Sequence, residues 1–103
     1  MNDPETEQDP GTPRVGVVEV FTKTGCRPCK QTLRWLRKHG VAPDVYPAKE
    51  FFDVLVPLGI RSAPGVLVYG PDGALVDAWG GFDPARLAHH FGAGAAAGTG
   101  VAA

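Results

Sequence analysis

The chain has 103 residues, of which 44% are hydrophobic and 20% charged, and its formal net charge is -1. This is ordinary for one globular domain, and the near-zero charge gives no overall indication of nucleic acid or membrane binding. Because no segment resembles a secretory signal and no apolar stretch approaches the roughly 20 residues that cross a bilayer, we expect a cytoplasmic protein. We also expect a monomer that binds neither nucleic acid nor membrane.

The two ends of the chain differ in composition from its middle. Residues 1–14 carry four acids and three prolines without apolar periodicity, and residues 92–103 are almost entirely Gly and Ala. Neither end has enough apolar surface to offset the entropy lost on ordering it. The sequence therefore predicts disordered tails at 1–14 and 92–103, around one folded domain at 15–91.

The first predicted elements are a strand and a helix. The β-branched run at 15–21 is typical of a central strand that is buried on both faces. From about Arg27 the sequence predicts a helix, with Leu33 and Leu36 on one face and Gly40 as a left-handed stop. Pro28 is compatible with the first turn, where its missing amide has no helical partner to lose.

A second strand and a second helix follow. Residues 41–46 predict a strand at a sheet edge, because Pro43 cannot donate to a central ladder. Pro57 near the end of the next helix predicts that this helix is short. The helix itself is predicted from one apolar stripe at i, i+3, i+4 and i+7, formed by Phe51, Val54, Leu55 and Leu58.

The last elements are a hairpin and a helix. Residues 65–69 and 74–79 are apolar runs that flank the turn "GPDG" at 70–73. Asp83 is a predicted N-cap for a helix whose apolar positions are Pro84, Leu87, Ala88 and Phe91. The predicted order is β-α-β-α-β-β-α, an α/β fold with one parallel strand pair and an antiparallel hairpin.

Cys26 and Cys29 are the only two cysteines. At positions i and i+3 of a helix start, both side chains lie on the same side of the first turn and can form a reversible disulfide. We expect Cys26 to be the more exposed, with its thiolate favoured by the helix N-terminus, by Lys23, Arg27 and Lys30, and by a hydrogen bond from the Cys29 thiol. Cys26 would then attack a substrate disulfide, and Cys29 would resolve the mixed disulfide.

Two other roles for the cysteine pair stay open. Zinc needs two further ligands, but His39 lies too far along the same helix, and His89 and His90 diverge around theirs. A permanent bridge across four residues constrains the unfolded chain little, and such bridges are rare in the cytosol. We favour a redox-active disulfide with no bound metal or cofactor.

Cations are concentrated around the cysteines. A solvated helix face and a docking surface for an acidic partner both account for them. Six of the ten Lys and Arg residues lie in this stretch: Lys23, Arg27, Lys30, Arg34, Arg37 and Lys38.

Three blocks of the sequence resemble one known family: "VFTKTGCRPCK" at 20–30, "LGIRSAPGVLV" at 58–68 and "WGGFDPARL" at 79–87. Together they resemble the thioredoxin fold and, within it, the glutaredoxin-like redoxins of the NrdH type, which are small electron donors to ribonucleotide reductase. The resemblance implies a thioredoxin/glutaredoxin-like fold with a four-stranded mixed sheet and three flanking helices. It also implies a cis peptide at Ala63–Pro64 that faces the cysteine loop, reduction by a thioredoxin reductase, and disulfide-containing proteins as partners.

The same resemblance indicates which residues contact substrate or partner. Trp79 and Phe82 are expected to form a surface network beside the site, with core packing as the alternative for Trp79. The sequence departs from the family at two places. The Arg27-Pro28 dipeptide is closer to that of general thioredoxins. Gly65 stands where a β-branched residue is usual, and a glycine in a strand weakens it. The full set of expected binding residues is Lys23, Arg27, Pro28, Ala63, Pro64, Trp79, Gly81, Phe82 and Asp83.

Two alternative functions remain at this point. The segment 80–83 also resembles the Gly-Gly-x-Asp segment through which glutaredoxins hold the carboxylates of glutathione at a helix N-terminus. A glutaredoxin that depends on glutathione or another small thiol is therefore the second hypothesis. A module that binds zinc or an iron–sulfur cluster through the two cysteines is the third.

Overall fold

The computed structural model describes residues 17–92. The predicted tail at 1–14 lies outside the described residues, as does all of the predicted tail at 92–103 except Gly92. In chain order the helices and strands are β1 (Val17–Thr22), α1 (Arg27–Lys38), β2 (Asp44–Pro47), α2 (Phe52–Leu55), β3 (Gly65–Tyr69), β4 (Leu75–Gly80) and α3 (Pro84–Phe91). Short 3-10 turns at Ala48–Glu50 and Val56–Leu58 flank α2.

The four strands form one mixed sheet in the order β2-β1-β3-β4. β1 is parallel to β2 and antiparallel to β3, and β3 is antiparallel to β4. The predicted order of elements is confirmed, and so is the place of β2 at a sheet edge. β2 begins later than predicted, at Asp44, and extends to Pro47.

Both faces of the sheet are covered. Successive residues of a strand point to opposite faces, so Val20 and Phe21 of β1 belong to different apolar clusters. The cluster on the α2 face consists of Phe21, Ala48, Leu55, Ile60 and Leu67. The cluster on the face of α1 and α3 consists of Val18, Val20, Leu36, Val66, Val68, Trp79, Leu87 and Phe91.

α2 differs from the prediction in how it is buried. Leu55 is buried, but Val54 and Leu58 are each 38% exposed, so the four predicted residues do not share one buried stripe. The helix makes one turn before the chain tightens into the 3-10 turn that contains Pro57. Because a 3-10 turn has three residues per turn instead of 3.6, Leu58 rotates out of the stripe. The expectation that this helix is short is confirmed.

α1 and α3 begin and end close to the predicted positions. Pro28 lies in the first turn of α1, and Gly40 follows that helix with a φ of 78°. Asp83 caps α3, since its Oδ1 accepts a hydrogen bond of 3.1 Å from the Arg86 amide. Among residues 17–92, no helix has the length and apolar character that a bilayer crossing requires.

Candidate redox site

A disulfide between Cys26 and Cys29 lies at the N-terminus of α1. Cys26 is the N-cap and Cys29 is the third helical residue, and their Cα atoms are 5.2 Å apart. In this oxidised form Cys26 and Cys29 are almost equally buried, at 4% and 3% exposed. The greater exposure expected for Cys26 stays a prediction for the reduced protein. The bond draws both sulfur atoms over the same helical turn, which explains their equal burial.

The Cys26 sulfur has a hydrogen-bond donor already in place. The Cys29 backbone amide donates to Cys26 Sγ over 3.2 Å, as N-cap side chains accept from the third helical amide. We expect this amide to remain close to Cys26 Sγ after reduction, where a donor of this kind stabilises a thiolate. A bond from the Cys29 thiol was expected from the sequence, whereas this amide was not, although the N-cap position of Cys26 was the signal for it.

The cations expected beside the site lie in the segments that flank Cys26. Arg27 and Lys30 belong to the first turn of α1, and Lys23 lies in the loop between β1 and the helix. All three residues are exposed, and the first turn of α1 has no acidic residue. Positive charge and the helix N-terminus therefore act on Cys26 in the same direction.

The cis peptide expected at Ala63–Pro64 is confirmed. Pro64 is fully buried, and the next residue, Gly65, pairs with Phe21 near the end of β1. Since β1 leads into the loop that carries Cys26, this pairing places the beginning of β3 beside that loop.

The third sequence block meets this segment through the backbone. The Gly81 amide donates to the Pro64 carbonyl over 2.8 Å, and Gly81 has a φ of 91°, in the left-handed region that favours glycine. Phe82 is half-buried and packs against the cluster on the face of α1 and α3. Asp83 follows as the cap of α3, so residues 81–83 connect the cis-proline segment to that helix.

Trp79 is a core residue. It is 7% exposed and lies opposite Val66 in the β3–β4 pairing, on the sheet face that α1 and α3 cover. The expected surface position is therefore wrong for Trp79, and the core-packing alternative is correct. Its Nε1 is buried without a hydrogen-bond partner among residues 17–92, while the Arg86 guanidinium lies 5.6 Å from the ring centroid.

Asp77 ties β4 to α3 next to that tryptophan. Arg86 Nη1 lies 2.7 Å from Asp77 Oδ1, and His90 Nε2 lies 2.9 Å from Oδ2. Partial burial raises the pKa of Asp77. Hydrogen bonds from His90 and from the Ala78 amide, together with the charge of Arg86, lower this pKa by more than burial raises it. The net effect holds this pKa below its usual value of 3.8.

A groove that was not predicted from the sequence lies beside the Ala63–Pro64 segment, with a volume of about 410 Å³. Three cations line it, namely Lys23, Lys49 and Arg61, together with apolar residues of the α2 region. Phe52 and Val56, which fall outside the predicted stripe, are 59% and 47% exposed there. The sequence did contain a signal for this groove, because Phe52 and Val56 are large apolar residues that the predicted stripe does not bury.

Residues 17–92 contain no group of three or more His, Cys, Asp and Glu side chains that could hold a metal ion. Two of the three histidines have other contacts. His39 Nδ1 lies 2.8 Å from the Trp35 carbonyl at the end of α1, and His90 contacts Asp77.

Comparisons with known proteins agree with this geometry. The model of the glutaredoxin family matches residues 18–70, which include both cysteines and Pro64. Two proteins called glutaredoxin-like protein NrdH, from Lactococcus lactis subsp. lactis (strain IL1403) and subsp. cremoris (strain MG1363), are 33% and 32% identical over 75 residues. Each match covers 70% of this chain and 96% of the relative.

A third relative is an octanoyltransferase of Neorickettsia sennetsu (strain ATCC VR-367 / Miyayama), 30% identical over 59 residues. The match covers 50% of this chain but spans only 28% of that protein, so we infer nothing about octanoyl transfer from it.

Solved structures that resemble this chain include thioredoxins. Malassezia sympodialis thioredoxin (Mala s 13) is 28% identical with a TM-score of 0.54, and the match covers 77% of this chain and 75% of that one. Oxidised thioredoxin from Plasmodium falciparum is 24% identical with a TM-score of 0.56, over 78% of this chain and 81% of that one. These matches confirm the expected thioredoxin fold.

Proposed function

The chain belongs to the glutaredoxin family, and we propose that within it this protein is an electron donor of the NrdH type, reduced by a thioredoxin reductase and oxidised by ribonucleotide reductase. The family and the NrdH-like relatives make it a thiol-disulfide oxidoreductase. The observation that carries the proposal is the Cys26–Cys29 pair on the first turn of α1. We place the reaction in the cytoplasm, where a dithiol is kept reduced.

The reaction cycle follows from the positions of the two sulfur atoms. In the reduced protein the Cys26 thiolate attacks one sulfur of the client disulfide, which forms a mixed disulfide and releases the other client sulfur as a thiolate. Cys29 loses its proton and attacks Cys26 Sγ, which releases the second client thiol and forms the Cys26–Cys29 disulfide. Two electrons and two protons pass to the client, and the reductase returns them from NADPH.

Three features support protein partners over glutathione. The Gly81 amide, which belongs to the glutaredoxin-like segment, already donates to the Pro64 carbonyl. Asp83 accepts from the Arg86 amide, and its Oδ2 lies 3.7 Å from Arg86 Nε, so a glutathione ligand has to compete for this carboxylate. Phe52 and Val56 expose apolar surface next to the site, as protein contacts commonly do.

The glutathione-dependent function remains the second candidate. Asp83 follows two glycines at the N-terminus of α3, a position suited to binding an anion. The side chain of Asp83 is 40% exposed and thus reachable by a small ligand.

A coupled assay separates the two functions. The oxidised protein is incubated with NADPH and a bacterial thioredoxin reductase, and in parallel with NADPH, glutathione and glutathione reductase, while NADPH consumption is recorded. We expect turnover in the first system. Turnover only in the second would overturn the proposal.

A matched variant makes the comparison sharper. Asp83→Asn keeps an N-cap residue of similar strength but removes the negative charge. We expect it to leave the thioredoxin-reductase rate unchanged. A fall confined to the glutathione system would identify Asp83 as part of a glutathione site.

A further inference from the structure

α1 carries one uninterrupted row of positive charge on its outer face. The row, called the basic stripe, consists of Arg27, Lys30, Arg34, Arg37 and Lys38, all of them exposed. At about 100° per residue these positions fall within about 120° of the helix circumference. They lie opposite the buried residues Cys29, Thr32 and Leu36.

The basic stripe has no compensating charge within the described residues. α1 contains no acidic residue, and the ion pairs formed among residues 17–92 involve only Arg86 and His90 as cations. Like charges at i, i+3 and i, i+4 destabilise a helix, as they do between Lys30 and Arg34 and between Arg34 and Lys38. Arg37 and Lys38 lie in the last turn, where positive charge interacts favourably with the helix dipole. Helix stability therefore accounts for these two cations but not for Lys30 and Arg34.

Activation of the thiol explains only one end of the basic stripe. Arg27 and Lys30 belong to the first turn, where they favour the Cys26 thiolate. Arg34 is eight residues beyond Cys26, about 12 Å along the axis, and Lys38 is about 18 Å away. These distances exceed the Debye length of about 8 Å at physiological ionic strength, so the far charges do little to Cys26.

We propose that the basic stripe is a docking surface for an acidic segment of the client protein that flanks the client's reactive disulfide. The proposal rests on the thiol-disulfide function of Cys26, because the stripe begins on the same helical turn as that sulfur. A client segment that follows α1 away from Cys26 covers the stripe's length of about 16 Å with about five extended residues. The cations of the stripe are spaced roughly one helical turn apart, so each acidic residue of the segment can lie next to one of them.

A protein fits the basic stripe better than a nucleic acid does. The stripe starts beside a disulfide, and only a partner with cysteines uses that chemistry. The charges of residues 17–92 also nearly balance, with nine Lys and Arg against seven Asp and Glu. Nucleic acid binding normally draws on a larger excess of positive charge.

The test compares two short synthetic peptides, each with an internal disulfide, one flanked on both sides by glutamates and the other by glutamines. Pre-reduced protein is mixed with excess oxidised peptide, quenched with acid at set times and separated by chromatography. The measured quantity is the second-order rate constant of peptide reduction. The variant is the triple substitution Arg34→Gln, Arg37→Gln and Lys38→Gln, which leaves Arg27 and Lys30 unchanged.

We expect the triple variant to reduce the glutamate peptide about tenfold more slowly than the native protein at low salt, and the two proteins to converge near 0.5 M salt. With the glutamine peptide the native and variant rates are expected to be equal. A charge-preserving control, Arg34→Lys, Arg37→Lys and Lys38→Arg, should keep the fast reaction with the glutamate peptide.

The outcomes separate this proposal from the proposed function. If the native protein reduces neither peptide, the thiol-disulfide function itself is contradicted. Equal rates for both peptides with the native protein would refute the docking surface alone. A faster reaction of the triple variant with the glutamate peptide would also refute it, because the stripe's positive charge would then hinder reduction of an acidic client.

Discussion

Gly65 is the position where the structure and the family pattern give opposite expectations for stability. A β-branched residue is usual there in the family and is favoured in strands generally. A Cβ on Gly65 would lie 2.9 Å from Leu55 Cδ2 and 3.3 Å from Ile60 Cγ2, inside the roughly 3.5–4 Å of an ordinary carbon contact. We therefore expect Gly65→Val to lower the free energy of unfolding.

The size of the effect follows from the burial of the two neighbours. Leu55 and Ile60 are 3% and 4% exposed, so they must repack within the core to admit extra atoms. Overpacking of this kind costs about 1–3 kcal/mol, and the gain from strand preference and from a less flexible unfolded chain is at most about 1 kcal/mol. Subtracting a gain of about 1 kcal/mol leaves a net loss of up to about 2 kcal/mol, which lowers Tm by up to about 15 °C in a domain of this size.

Thermal unfolding of the oxidised protein, followed by circular dichroism, measures this loss. Gly65→Ala should fall between the native protein and Gly65→Val. The double variant Gly65→Val/Leu55→Ala removes the contacting side chain, so its loss should be smaller than the sum of the two single losses. A Tm for Gly65→Val at or above that of the native protein would show that the clash is not real and refute the reasoning.

The remaining predictions concern the sulfurs, one carboxylate and the buried tryptophan. Cys26→Ser should abolish turnover, whereas Cys29→Ser should accumulate a mixed disulfide with the client, visible by mass spectrometry without reductant; full-rate turnover of Cys29→Ser would contradict its resolving role. The lowered pKa of Asp77 means that its carboxylate adds stability above about pH 4, and this stability is lost as the pH falls through the folded pKa. Asp77→Asn should reduce this loss of unfolding free energy at low pH, measured by urea unfolding between about pH 2 and 7. An equal loss in the variant would exclude Asp77 as its cause. Trp79→Phe should lower the free energy of unfolding by about 1–2 kcal/mol while leaving the rate of peptide reduction unchanged, and the reverse pattern would favour a docking role.

Local chemistry made the redox pair and its helix predictable. The spacing of Cys26 and Cys29 and the position of Pro28 specify a helix start within four residues, and no distant contact is needed to infer it. The antiparallel hairpin of β3 and β4 was also predictable, because the turn at 70–73 joins two apolar runs.

The α2 region and Trp79 show where local patterns fail. The apolar stripe assumed a helical period through Leu58, but the 3-10 turn at Val56–Leu58 changes that period. Alternation in β4 shows which residues share a face, but it does not show how far a helix covers this edge strand. That coverage depends on how α3 packs back onto β4, through contacts such as those of Arg86 and His90 with Asp77. A surface position for Trp79 could therefore not be excluded from the sequence.

The three sequence blocks converge on one site mainly through backbone contacts. Gly65 pairs with Phe21, and the Gly81 amide donates to the Pro64 carbonyl. Such contacts depend on glycine and proline at those positions and only weakly on other side chains, so the framework and its chemistry can be shared by proteins with different clients. The charges around Cys26 are instead carried by exposed side chains that the framework does not require. Client choice should therefore respond to substitutions in the basic stripe, whereas substitutions at Gly65 or Gly81 should affect folding and reactivity with every client alike.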